Sequence, residues 1–115
     1  MNSFLTNGAS EGVKTILQAI IRDHAHDAVL APIPQYPLYS GTLALLNGTL
    51  LPYYLDEAAG WACLTDRLDK ALSDGLAAGH NVRALVVINP GNPTGQVRAG
   101  GRQLSTAAEP ATISI

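Results

Sequence analysis

Apolar residues follow two different rhythms along this chain. In residues 11–23, Val13, Ile16, Leu17, Ile20 and Ile21 recur at intervals of three and four, which predicts a helix with one apolar face, and Ser10 just ahead of them can serve as its N-cap. Residues 28–33 form an unbroken apolar run closed by Pro34, the pattern of a strand buried on both faces. Pro37 is placed to open a second helix carrying Leu38, Leu43, Ala44 and Leu46, and Asn47-Gly48 can cap its C-terminus. Residues 49–55 read as a strand whose Pro52 cannot donate to a ladder, so it belongs at an edge or at a bulge. Leu64, Leu68, Leu72 and Leu76 predict a third helix over about 65–78, started by Thr65 and Asp66 and ended by Gly79. Residues 84–88 are a second strand buried on both faces.

Strands alternating with helices imply parallel pairing and right-handed crossovers, so the expected class is α/β. The two ends of the chain read differently. Phe4 and Leu5 look like the end of a strand running into a turn at Asn7-Gly8, which suggests that something precedes them. Residues 98–115 are Gly, Ala, Ser and Thr with isolated apolar positions and keep no period for more than a turn. They are expected to be an unstructured or non-native tail behind an ordered unit spanning 1–97.

Composition narrows the class of partner. A chain of 115 residues with 47% hydrophobic and 14% charged residues is one domain at most, with a heavy interior. Its net charge of −2 is scattered, leaving no basic stripe for nucleic acid and no polybasic face for anionic lipid. The single cysteine, Cys63, excludes an intramolecular disulfide and a multi-cysteine zinc site. Neither a secretory leader nor a bilayer-spanning segment is visible, so a soluble, cytoplasmic chain with a small-molecule or protein partner is expected.

Chemistry has three places to sit. Thr6-Asn7-Gly8-Ala9-Ser10-Glu11-Gly12 opens the first helix and aims unpaired backbone N–H groups at one point, which makes either an anion site or simply a capped helix start. Pro34-Gln35-Tyr36-Pro37-Leu38-Tyr39 follows a buried strand, where open α/β sheets gather ligand residues; its tyrosines either lie on a planar ligand or cover the core edge. Asn89-Pro90-Gly91-Asn92-Pro93-Thr94-Gly95 is a stiff turn that either presents the amide of Asn92 to a ligand or is a turn and nothing more.

In their order and spacing, the stretches FLTNGASEGV, PIPQYPLYSGT and VVINPGNPTGQV resemble the pyridoxal-phosphate (PLP) aminotransferases of fold type I, and alanine aminotransferases in particular, over residues 4–97. The resemblance implies part of a three-layer large domain with PLP as cofactor. It gives Gly8, Ala9 and Ser10 the cofactor phosphate, Tyr36 the face of the pyridine ring, and Asn92 the ring's 3′ oxygen. Tyr39 is a further residue for the pocket lining. The implied reaction moves an amino group between L-alanine and 2-oxoglutarate in an enzyme whose intact form is a candidate homodimer, cytoplasmic or mitochondrial.

In that family the Schiff-base lysine, the aspartate at the pyridine nitrogen and the arginine for the substrate carboxylate lie beyond the third loop, where this chain has residues 98–115. The only amines are Lys14 and Lys70, both read as surface lysines, and neither Arg98 nor Arg102 is assigned to substrate. No catalytic residue is assigned, and the chain alone is expected to be inactive. His24 and His26, with Asp23 and Asp27, have the chemistry of metal ligands but read as residues of a helix end, so no metal site is assigned. The alternative function is a non-catalytic chain that pairs its open sheet edge with a full-length aminotransferase subunit.

Overall fold

The computed structural model describes residues 3, 5–60, 65–88 and 111–114, the last four by their backbone alone. In chain order the elements are α1 (Ala9–Ile20), β1 (Asp27–Ile33), α2 (Leu38–Leu45), β2 (Thr49–Tyr54), α3 (Thr65–Ala77), β3 (Asn81–Val87) and β4 (Ala111–Ser114). The strands form one sheet in the order β2-β1-β3-β4, and every neighbouring pair is parallel. β1 is therefore central, and β2 takes the edge position that Pro52 requires.

Strand periodicity sorts the core into two faces. Val29 and Ala31 of β1, with Ala84 and Val86 of β3, meet Val13, Leu17 and Ile21 from the first helical segment and Tyr39 and Leu43 of α2. Leu30 of β1 and Leu85 of β3 point the other way, onto Leu72 of α3 and Tyr53 of β2. Helices thus cover both faces, which is why β1 reads as a continuous apolar run. A fully buried leucine such as Leu17, Leu30 or Leu72 contributes roughly 2–3 kcal/mol of transfer free energy. α3 lies close to the sheet at Gly75, where a Cβ would overlap Cδ1 of Leu51.

The helix ends differ from the sequence expectation in instructive ways. Gly8, not Ser10, is the N-cap of α1: it takes φ 91°, a conformation open to glycine, and Ser10 falls inside the first turn. The helix stops at Ile20 rather than near residue 23, because the Asp27 carboxylate accepts the N–H groups of Arg22 and Asp23 at 2.9 Å each and draws them out of the helical ladder. His24 and His26 consequently lie in a turn after the helix, not in its last turn. At the end of α2 the expected cap forms, but Asn47 is the left-handed residue (φ 54°), while the N–H of Gly48 reaches back to the carbonyl of Leu43 at 2.9 Å. Gly79 (φ 86°) ends α3 in the same manner, with His80 N–H bonded to Gly75 O.

Two expectations about the ends of the chain are corrected. Leu5 is in no strand and is 94% exposed, while Phe4 lies outside the described residues. The tail carries a strand at its end: Ala111–Ser114 pairs with Ala84–Val87 of β3. The backbone N–H and C=O groups on the side of β3 away from β1 are what this strand pairs, and the β-branched pair Thr112-Ile113 suits a strand. Ile16 and Leu76, placed on apolar helix faces by their spacing, are 45% and 39% exposed.

Candidate functional site

The sheet has a reversal point. From β1 the chain crosses through α2 to β2 on one side, and then through α3 to β3 on the other. Open α/β sheets leave a crevice at such a point, outside the carboxyl ends of the strands. The chain path directs two of the three sequence stretches toward that end of the sheet. Gln35 and Tyr36 follow β1 directly. α1 packs along the same sheet through Val13 and Leu17, and a short link joins its C-terminus to the amino end of β1. Its N-terminus, with Gly8, Ala9 and Ser10, is therefore directed toward the carboxyl end of the sheet.

The start of α1 is open. Gly8, Ala9 and Ser10 are exposed, and no side chain caps the helix. Gly12 N–H closes the first helical bond onto Gly8 O at 3.2 Å, so the N–H groups of Ala9, Ser10 and Glu11 have no partner among the described residues and can meet an anion. Glu11, which would repel an anion if it turned into this space, instead accepts the N–H of Asn7 at 3.0 Å, and Thr6 Oγ1 donates to Gly8 O at 2.9 Å. The loop before the helix is thereby folded over its own backbone.

Tyr36 is 56% exposed, so its ring is available to a planar ligand. Tyr39, three residues on, is only 3% exposed and belongs to the core between α1 and α2; burial raises its phenol pKa. Tyr39 thus packs the core, and its ring faces no open space at the strand ends. Asn92 and the rest of the third loop lie outside the described residues, as do Cys63, Arg98 and Arg102. Lys14 is exposed on α1, and Lys70 pairs with Asp74 at 2.6 Å.

The opposite end of the sheet is held by acids. Asp27, 3% exposed, accepts the Arg22 and Asp23 N–H groups, and Asn81 Nδ2 lies 3.4 Å from its second oxygen. The backbone hydrogen bond from Asp23 is the main cause that holds its pKa below the ordinary carboxylate value. Asp23 is lowered as well, first by its 2.8 Å contact with His26 Nδ1 and then by the N–H of Ala25. These carboxylates spend their lone pairs on the turn that joins α1 to β1. A groove of about 450 Å³ lined by Pro52, Tyr54, Arg67 and Lys70 lies between β2 and α3, on the face of the sheet away from α1.

Sequence reasoning assigned no role to Gln35, Asp27 or Tyr53. Gln35 lay within the second stretch, but nothing local in the sequence marked its amide as buried.

A family model described as aminotransferase class I and II matches residues 2–99. Alanine aminotransferase 2 of Panicum miliaceum is 57% identical over 100 residues, covering 87% of this chain and 20% of the relative. Glutamate–glyoxylate aminotransferase 1 of Arabidopsis thaliana is 54% identical over 93 residues, covering 81% and 19%. Among solved structures, the alanine aminotransferase of Pyrococcus furiosus matches with a TM-score of 0.67 and 30% identity over 78% of this chain and 21% of its own. The chain spans about a fifth of the length of each. Its helix–sheet–helix layers are part of the large-domain fold of these enzymes. With the match running from the first loop through the third, the chain belongs to the class I and II aminotransferases.

Proposed function

We propose that this chain is the cofactor-binding front part of an alanine-aminotransferase-type enzyme, able to hold part of the cofactor site and unable to turn over alone. Pyridoxal phosphate is the cofactor of this family. The observation that carries the reading is that the chain path brings the uncapped first turn of α1 and the exposed ring of Tyr36 to the same end of the sheet.

Both features fit the group. Free N–H groups at Ala9, Ser10 and Glu11 suit a phosphate, which the helix dipole further favours by roughly 0.3–1 kcal/mol. The Ser10 hydroxyl can add a hydrogen bond, and Tyr36 can lie on the pyridine ring. Asn92 completes the proposed set as a donor to the 3′ oxygen. When bound, the cofactor supplies an electron sink for the carbon that gains or loses the amino group. The residues present bind and orient it; the proton-moving lysine and carboxylate-gripping arginine of the family have no proposed counterpart in this chain. In the intact enzyme the exchange is between L-alanine and 2-oxoglutarate, in a homodimer. Residues 1–97 are the large-domain unit, and Ala111–Ser114 of the segment that follows lends its sheet a fourth strand. The compartment is the cytoplasm, with the mitochondrion as the alternative.

Mixing the purified chain with one equivalent of pyridoxal phosphate, reducing with borohydride and mapping peptides by mass spectrometry tests this. Weak, unselective lysine labelling, with cofactor still retained, is the expected result. Selective labelling of Lys14 would overturn the claim that no lysine here serves the cofactor.

The open edge of β2 favours a second reading, in which the chain pairs with a full-length aminotransferase subunit. Co-purification of such a subunit with the tagged chain would support it.

A further inference from the structure

The carboxamide of Gln35 is buried at both its oxygen and its nitrogen, and neither has a hydrogen-bond partner among the described residues. A primary amide brings two N–H donors and a carbonyl acceptor, and burying them unpaired is unfavourable. Other buried polar groups of this chain behave differently: Asp27 fills its oxygens with N–H donors, and the Tyr53 hydroxyl finds the carbonyl of Val86. His80 Nδ1 is also buried without a partner among the described residues, but it sits at the amino end of the sheet, where α3 gives way to β3. Gln35 sits at the carboxyl end, between the last residues of β1 and Tyr36, at the reversal point of the strand order. A methionine would fill similar space there without the desolvation penalty, so the amide has a purpose only if a polar group arrives to meet it.

We propose that Gln35 is a binding residue of the cofactor pocket, its carboxamide nitrogen donating to an anionic oxygen of the pyridoxal phosphate held by Tyr36 and the first turn of α1. The inference rests on the site reading given above and adds to it the one residue of the second stretch that packs inward with an unused donor. It also separates stability from binding. The ligand-free chain carries the penalty, and the bound chain recovers it.

The test uses the 115-residue chain and its Gln35→Met and Gln35→Glu variants, with melting temperatures measured without ligand and pyridoxal phosphate affinity measured by titration of the cofactor's absorbance. Gln35→Met is expected to melt about 4 °C higher than wild type without ligand. It should also bind pyridoxal phosphate about tenfold more weakly. Gln35→Glu, which sets a carboxylate against the anion, should bind more weakly still. Inorganic phosphate titrated in parallel identifies the oxygen: a loss for both ligands marks the phosphate group, and a loss for pyridoxal phosphate alone marks the ring. A Gln35→Met chain that binds the cofactor as tightly as wild type, or that melts lower without ligand, overturns the inference while leaving the site reading intact. A wild-type chain that takes up no cofactor overturns both.

Discussion

The hydroxyl of Tyr53, near the end of edge strand β2, reaches past central strand β1 and donates to the main-chain carbonyl of Val86 in β3 at 2.7 Å. The ladder between β1 and β3 runs only as far as Leu30 opposite Leu85, and Pro32 beyond it has no N–H to offer. Tyr53 therefore ties three strands together just where the sheet opens toward the site. Replacing it by Phe should keep the packing and leave the carbonyl without this donor, at a cost of about 1–2 kcal/mol. Urea unfolding at unchanged m value would measure this, and a loss well under half of that would show that Val86 is satisfied by other means.

Asp27 gives the chain an acid-labile anchor. Its folded pKa lies below the ordinary value, so its contribution to stability is fully present above about pH 4 and is lost as pH falls through the folded value. Asp27→Ala should cost about 2 kcal/mol at neutral pH by stranding the N–H groups of Arg22 and Asp23. The gap between variant and wild type should close on acidification. Melting curves collected from pH 7 down to about pH 2.5 check both statements, and a gap that stays constant over that range would refute the assignment.

Gly75 lets α3 lie close to the sheet. Gly75→Leu would drive a side chain into Leu51 and toward Val82, and is expected to destabilise by about 1–3 kcal/mol despite the better helix propensity of leucine. Gly79→Ala tests a different property of glycine, since nothing crowds that position and its penalty comes from the positive φ. Chemical denaturation of both variants separates crowding from backbone conformation.

Tyr36→Ala should separate binding from folding. With the ring 56% exposed, the change is expected to alter stability by less than about 1 kcal/mol, while pyridoxal phosphate affinity drops about tenfold through lost stacking. An unchanged affinity would remove Tyr36 from the proposed site.

Much of the fold was legible because it rests on periodicity. The runs at 28–33 and 84–88 announced strands covered on both faces, and Pro52 announced an edge. Boundaries were less legible, because distant partners set them. Nothing local in Arg22 and Asp23 says that a carboxylate four or five residues on will take their N–H groups, and Ser10 lost the cap to a glycine whose backbone could turn further. β4 was invisible for the same reason: four residues hold too little pattern to stand out, and their strand state depends on the unpaired side of β3. In the site, the loop before α1 and Tyr36 could be read from turn residues and from an aromatic beside proline. Gln35 could not, since burial of an amide depends on three-dimensional neighbours.

Strand β1 has one end whose polar groups are all answered and another that is left expectant. At Asp27 both oxygens have donors, and eight positions on, just past the strand, Gln35 has no partner among the described residues. Substitutions along this single strand should therefore change character with position: near its start they register as melting temperature, and just past its end as affinity. A survey of variants that scored only solubility or expression would read the first kind as severe and the second as harmless, and would rank the residues of this chain in the reverse of their importance to a ligand.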